Sequence, residues 1–375
     1  MLIFVIQIHI IMKVVSIKIK ILILYSSILL VGCDRFDAAP IFAFRVDKVK
    51  CPEPKSALHS EQTNIKGELL TDFIIRDSSI IIHDWVSKEF FVKVRSLETG
   101  SIQGRFCRHG RGPDEFVSPV PLSSVGDNAG MFDFITGYYS ELNIKRSLDE
   151  GTTILDRRIK FDNPTAILPA LYSITKIDNR CILAFDGGQN TGPGARKIVK
   201  TPCFSVFDVT SGKLVKEYQI FNGFSESIQT KYPRFYLDNT SRRSCYNPEL
   251  RRVFFSMRSN PVYGILDLDS GEVRGFRLSK EPCSRRDKSV ATFSDVCTDG
   301  KNIYALYFAG FPIANVSPTE PTTLFVFNWE GEILGRYKLD APFGSCRVNN
   351  GKLYMSTLDS IETDLRVVDL EQLNI

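Results

Sequence analysis

Asp77-Ser78-Ser79-Ile80-Ile81-Ile82 is a polar turn running straight into an apolar stretch, and the same arrangement returns along the whole chain. Asp127-Asn128 precedes Met131-Phe132-Asp133-Phe134, Asp178-Asn179 precedes Cys181-Ile182-Leu183-Ala184-Phe185, and Asn247-Pro248 precedes Val253-Phe254-Phe255. Asp299-Gly300 leads into Ile303 to Tyr307, and Asn349-Asn350-Gly351 into Leu353-Tyr354-Met355. Counted from the first residue of each turn, the steps are 50, 51, 69, 52 and 50. Six copies at a near-constant period mark a repeat protein, whose units bury their apolar faces against one another.

A second marker, polar residues ending in glycine, falls between the first ones. It reads Leu97-Glu98-Thr99-Gly100, Leu148-Asp149-Glu150-Gly151, Val209-Thr210-Ser211-Gly212, Leu268-Asp269-Ser270-Gly271 and Trp329-Glu330-Gly331. Glycine after polar residues supplies the positive φ of tight hairpins. Two hairpins per unit make four strands, and no helical periodicity separates them. The expectation is an all-β fold, a six-bladed β-propeller of four-stranded antiparallel blades. The last unit stops after Leu365-Arg366-Val367-Val368-Asp369-Leu370, one strand short. An N-terminal strand should therefore close the ring, with Ile41 to Val46 as the candidate.

Outside the repeats the N-terminus reads as an address. A basic region from Met12 to Lys20 precedes an apolar run from Ile21 to Leu30, broken by Tyr25, Ser26 and Ser27. This is the build of a secretory signal peptide, too short an apolar run to span a bilayer. Met12 is the better-placed initiator. Leu30-Val31-Gly32-Cys33 resembles the lipobox of bacterial lipoproteins, which implies an acylated Cys33 and an anchor of more than one acyl chain, palmitate among them. The expected organisation is a signal peptide over 1–32, a lipid-anchored linker over 33–40 and the propeller over 41–375. The address is the envelope of a Gram-negative bacterium, at its outer or inner membrane.

Between the first two units lies Phe106-Cys107-Arg108-His109-Gly110-Arg111-Gly112-Pro113-Asp114-Glu115-Phe116. It follows the outermost strand of one blade and precedes the innermost strand of the next. There is no G-x-x-x-x-G-K-[ST] and no following helix, so it is not a phosphate loop. The element G-R-G-P-D-E-F resembles the blade linker of NHL-type repeats, and with the lipobox it is similar to the TolB-like six-bladed β-propeller lipoproteins. The resemblance implies that Gly110, Gly112 and Pro113 turn the chain and that Phe116 plugs the seam between blades.

The net charge of +4 includes three lysines of the leader, which leaves the rest nearly neutral and gives no reason to expect nucleic acid. Beyond the leader only His59, His83 and His109 remain, without metal-binding spacing, and there is no C-x-x-C and no G-x-S-x-G. No catalytic residue, metal or cofactor is expected. Cys245, Cys297 and Cys346 recur 2, 2 and 3 residues before the polar turns of the last three blades and read as small core residues. Cys181 and Cys203 are the best candidates for any disulfide.

Variable loops concentrate arginine and tyrosine, a combination suited to carboxylates, phosphates or sugars. The candidate binding residues at the channel mouth are Arg108, Arg111 and Trp85, then Tyr138, Tyr139 and Arg196. Tyr232, Arg234, Arg258 and Arg285 complete the set, and Arg243 falls in the same loop class. Two functions fit. One is a non-catalytic binding module for a protein partner or an anionic or glycan ligand. The other is a metal-dependent propeller hydrolase or lyase of the gluconolactonase type, which would need carboxylates pointing inward from several blades. Leu69-Leu70, Ala166-Ile167-Leu168 and Val296-Cys297 make the inner strands read as apolar, against the second function.

Overall fold

The computed structural model describes residues 42–68, 70, 72–84, 86–133, 135–161, 171–186, 189–190, 198–200, 203–220, 241–257, 261–279, 290–312, 321–358 and 363–373. The signal peptide, Cys33 and the linker over 33–40 lie outside these residues. The described residues begin with three short strands, β1 (Val46–Lys50), β2 (Ala57–Leu58) and β3 (Glu61–Gln62). Six four-stranded antiparallel blades follow, the first five laid down in sequence order from one edge to the other and the sixth completed by β3. Blade 1 holds β4 (Phe73–Arg76), β5 (Ser79–His83), β6 (Phe90–Ser96) and β7 (Ile102–Arg108). Blade 2 holds β8 (Pro119–Val125), β9 (Asn128–Asp133), β10 (Tyr138–Asn143) and β11 (Leu155–Lys160).

Blade 3 is built from β12 (Leu171–Lys176), β13 (Cys181–Asp186), β16 (Cys203–Asp208) and β17 (Leu214–Gln219). A two-stranded ribbon, β14 (Gln189–Asn190) with β15 (Ile198–Lys200), is inserted at its second loop. Blade 4 has β18 (Ser241–Asn247), β19 (Arg252–Met257), β20 (Val262–Asp267) and β21 (Val273–Ser279). Blade 5 has β22 (Val290–Thr298), β23 (Ile303–Pro312), β24 (Thr323–Phe327) and β25 (Ile333–Leu339). In blade 6, β26 (Phe343–Asn349), β27 (Lys352–Thr357) and β28 (Leu365–Asp369) are completed by β3. The fold is a six-bladed β-propeller closed by an N-terminal strand.

The apolar runs that reveal the repeat are the second strands of the blades. Both faces of such a strand are covered by neighbouring blades, so it is apolar without alternation: Ile80, Ile81 and Ile82 are all buried, as are Phe254 and Phe255. The core is six clusters, one at each seam. Ile74, Val94 and Phe106 of blade 1 meet Leu122, Met131 and Leu142 of blade 2, and the remaining seams repeat the pattern. The second marker also has its turn geometry, with Gly100 at φ 72° and Gly212 at φ 71°. Neither position has room for a side chain, because a Cβ would run into the carbonyl oxygens of Asn64 and Lys160 respectively.

At the level of the fold the structure corrects four expectations. The closing strand is Glu61–Gln62, paired with Val367 and Arg366, and not Ile41 to Val46. Phe42 is instead buried in the seam between blades 3 and 4 with Phe44 packed against it, and Val46 to Lys50 adds a parallel fifth strand to blade 4. The physical reason is position: the fourth strand of a blade is outermost and suits Glu-Gln, whereas an aromatic segment serves a seam. Second, the Gly151 marker caps a helix, α1 (Ile144–Glu150), with Asn143 accepting the Arg146 N–H at its start. Third, Cys181 and Cys203 sit at opposite ends of β13 and β16, opposite Asp208 and Asp186. Five rungs separate them, about 17 Å along the strand, so they cannot be bridged. Fourth, the channel wall carries charged side chains.

Candidate functional site

The inner strands do not present a purely apolar wall. Asp72 (just before β4), Arg243 (β18), Asp295 (β22) and Arg347 (β26) meet in the central channel, with Ser173 and Ser244 completing its circumference. Arg347 Nη1 donates to Asp295 Oδ2 at 2.7 Å and its Nη2 lies 3.7 Å from Asp72 Oδ1. Arg243 Nε lies 3.4 Å from Asp295 Oδ1. Backbone donors take up the remaining carboxylate capacity: Leu122 N–H to Asp72 at 2.7 Å, Cys346 N–H to Asp295 at 3.0 Å, and Val296 N–H to Asp295 at 2.9 Å. Ser173 Oγ and Ser244 Oγ, 2.9 Å apart, tie blades 3 and 4. Every inner strand is thus joined to a neighbour through this layer.

The electrostatics follow from burial and pairing. Burial pushes the Asp72 carboxyl up, with Arg243 and Arg347 opposing it. Arg347 is held protonated: Asp295 and Asp72 outweigh its desolvation. Burial likewise drives the Cys245 and Cys346 thiols well above their usual range. Cys346 Sγ lies 3.4 Å from Cys297 Sγ, and Cys245, Cys297 and Cys346 are all buried, close-packed wall residues. The ionic residues share one cavity of about 340 Å³ with Ile75, Ser124, Thr175, Tyr246 and Thr298, which lie nearer the first turns. Among the described residues no group of three or more His, Cys, Asp or Glu side chains is arranged to hold a metal ion.

The Arg108–Phe116 linker lies on the other face. Phe116 N–H donates to Arg108 O at 2.8 Å and Gly110 N–H to Phe116 O at 2.9 Å, so the segment folds back on itself. Pro113 and Asp114 occupy the centre of a turn closed by Glu115 N–H on Gly112 O at 3.2 Å. The Glu115 side chain accepts the Gly112 N–H at 2.8 Å, and a Cβ on Gly110 would collide with its carboxylate. Phe116 is fully buried in the seam between blades 1 and 2. Asp133 fastens the linker to the β9–β10 turn: its Oδ2 accepts from Val117 and Ser118, its Oδ1 from Ile135 and Thr136.

Between linker and turn runs a groove of about 630 Å³ lined by Arg111, Pro113, Glu115, Ile135, Tyr138 and Arg158. Of the sequence candidates, Arg111 and Tyr138 come together here, with Gly112 and Pro113 as their wall. Arg108 is exposed at the end of β7 but is not part of the groove. Tyr139 is corrected: it is fully buried against Phe161, its hydroxyl donating to Glu141 at 3.2 Å, because adjacent residues of a strand face opposite ways. Arg243 is also corrected, from a variable loop to the channel. Trp85, Arg196, Tyr232, Arg234, Arg258 and Arg285 lie outside the described residues.

Sequence reasoning missed Asp72, Asp295, Arg347 and Arg158. The repeat register held a signal for part of the set, since Arg243 and Asp295 each fall four residues before a polar turn, at Asn247 and Asp299. Opposite charges at one register position of adjacent inner strands point to a common layer. No such signal marks Arg158, an outer-strand arginine among several.

Similarity to known proteins lies in the fold. No protein-family model matches the chain, and no curated protein matches it in sequence. A solved structure of a member of the DUF4221 family from Bacteroides vulgatus aligns with a TM-score of 0.56 at 13% identity, covering 83% of this chain and 97% of that one. A protein from Bacteroides fragilis aligns with a TM-score of 0.52 at 8% identity, covering 86% of this chain and 99% of its own. At these identities the likeness establishes architecture alone.

Proposed function

We propose that the chain is a lipid-anchored envelope protein whose propeller is a non-catalytic binding module. Cys33 carries the acyl chains and places it at a membrane of a Gram-negative cell. The face bearing the interblade linkers takes a protein partner or an anionic ligand. The observation that carries this reading is the commitment of the channel carboxylates. Asp72 and Asp295 are engaged by arginine and by backbone N–H groups. A propeller hydrolase or lyase of the metal-dependent kind needs such groups free to ligate. Here they cross-link the inner strands and leave recognition to the face, where an exposed arginine and a tyrosine border a groove. The basic and aromatic side chains suit a negatively charged partner.

Two experiments test it. Metabolic labelling with palmitate should mark the wild-type chain and not Cys33→Ser; a labelled Cys33→Ser would remove the anchor. Capture from envelope extract by the Cys33→Ser chain, quantified by mass spectrometry, should enrich one partner that the Arg108→Ala/Arg111→Ala variant loses. Equal recovery by both chains would show that this face is not the binding surface.

A further inference from the structure

We propose that the groove between the Arg108–Phe116 linker and the β9–β10 turn binds a peptide through a carboxylate flanked by an apolar side chain. The proposal rests on the binding-module reading and gives it a ligand class. Its central observation is Arg158. The guanidinium, projecting from β11, lies 4.8 Å from the Phe116 ring and 5.0 Å from the Tyr138 ring. Nη2 donates to the Glu115 carbonyl at 2.8 Å. Nη1 is buried and has no hydrogen-bond partner. Among the described residues no carboxylate lies within ion-pairing distance of it. Arg95, Arg157 and Arg347 show the usual arrangement in this protein, each facing a carboxylate.

A half-buried cation without a counterion is costly, and an incoming anion would relieve that cost. The groove above it is prepared for one. Arg111, exposed at its edge, offers N–H donors, and Thr136 Oγ1 is a second buried polar atom without a hydrogen-bond partner. The carboxylate already in the groove, Glu115, is turned onto the Gly112 N–H and leaves the balance of charge positive. Because Nη1 is covered, Arg158 acts on a ligand as a charge beneath the floor, and Arg111 makes the direct contact. The rest of the wall is aliphatic: Pro113, Val117 and Ile135, the last of which is left 57% exposed. That shelf fits an apolar side chain beside the carboxylate. It does not fit a sugar, which wants an open aromatic face and many hydroxyl partners, and the one ring here, Tyr138, is covered by Arg158. A groove of about 630 Å³ holds two or three peptide residues.

The test uses the full chain carrying Cys33→Ser and three probes: acetyl-Ala-Leu-Phe with a free C-terminal carboxylate, the same tripeptide as its amide, and trigalacturonate. Ligand-observed NMR titration should show the acid binding about tenfold more tightly than the amide, the usual margin of a charge-assisted pair. Ile135→Glu, an exposed site that places a carboxylate in the groove, should abolish acid binding without changing the melting temperature. Arg111→Ala should weaken it about three- to tenfold. Equal binding of acid and amide, or affinity unchanged in Ile135→Glu, overturns the proposal. So does binding of trigalacturonate in place of the peptide. If the probes fail while capture from envelope extract still depends on Arg108 and Arg111, the groove assignment falls and the binding-module reading stands. Failure of both removes both.

Discussion

Asp295→Asn changes one oxygen to nitrogen at the centre of the channel layer and preserves shape. It should nonetheless be among the most damaging conservative substitutions in the protein. In the wild type, Asp295 is buried and faces Arg347 at 2.7 Å and Arg243 at 3.4 Å. Without its charge, two guanidiniums share Asp72 alone, 3.7 Å from Arg347. Leaving a buried charge uncompensated costs about 3–5 kcal/mol. Arg243 and Arg347 keep 29% and 20% of their side-chain surface exposed, so solvent screens part of the loss. The lower end, about 3 kcal/mol, is expected, against about 1 kcal/mol for a neutral hydrogen bond alone. Urea unfolding should show a lower midpoint at unchanged slope. The double variant Asp295→Leu/Arg347→Met should be less destabilised than the sum of its parts, because it removes both charges together. Asp295→Asn within about 0.5 kcal/mol of wild type, the range of an ordinary surface change, would refute the view of this layer as a stabilising electrostatic plug.

Three further outcomes follow from the fold. A chain beginning at Ser60 keeps Glu61–Gln62 and should still close the ring. One beginning at Gly67 exposes the edge of β28 and should aggregate; equal monomer yields by size-exclusion chromatography would contradict the closure described. Phe116→Ala empties a buried seam and should cost about 3–5 kcal/mol in denaturant unfolding, while Pro113→Ala in the same loop should cost less than about 1 kcal/mol. His83 is kept neutral by burial, with Asp84 pulling the other way and His109 adding to the effect, and titrates at about 4 in place of 6.5. The unfolded chain takes up that proton first, so stability complete above pH 6.5 is lost as pH falls toward 4, by about 3 kcal/mol in all. His83→Leu should flatten the pH dependence of the urea midpoint over that window, and an unchanged slope would assign the effect elsewhere.

The blades were legible because one physical constraint wrote them six times. A second strand covered on both faces must be apolar throughout, and the turn before it must be polar, so Ile80-Ile81-Ile82 and Val253-Phe254-Phe255 carry the same signal. Closure was half legible. A missing fourth strand shows as a shortfall after Leu370, but its supplier is a polar two-residue strand on the outer rim, where no hydrophobic pattern is required. The more apolar Phe42 and Phe44 drew attention because they fill a seam. The channel was misread for the opposite reason. Asp72, Asp295 and Arg347 are isolated charges in or beside the inner strands, and only their convergence from different blades makes them a layer. Arg158 escapes sequence reading altogether, since its lack of a counterion is a property of the space around it.

Whether the channel is a structural plug or a metal site is tested directly by calorimetric titration of the Cys33→Ser chain with Ca²⁺, Mg²⁺ and Zn²⁺. With Asp72 and Asp295 occupied by Arg243, Arg347 and backbone N–H groups, no stoichiometric high-affinity site is expected for any of the three. One metal bound tightly per chain, and lost in Asp295→Asn, would contradict it and make the channel a metal-dependent active site.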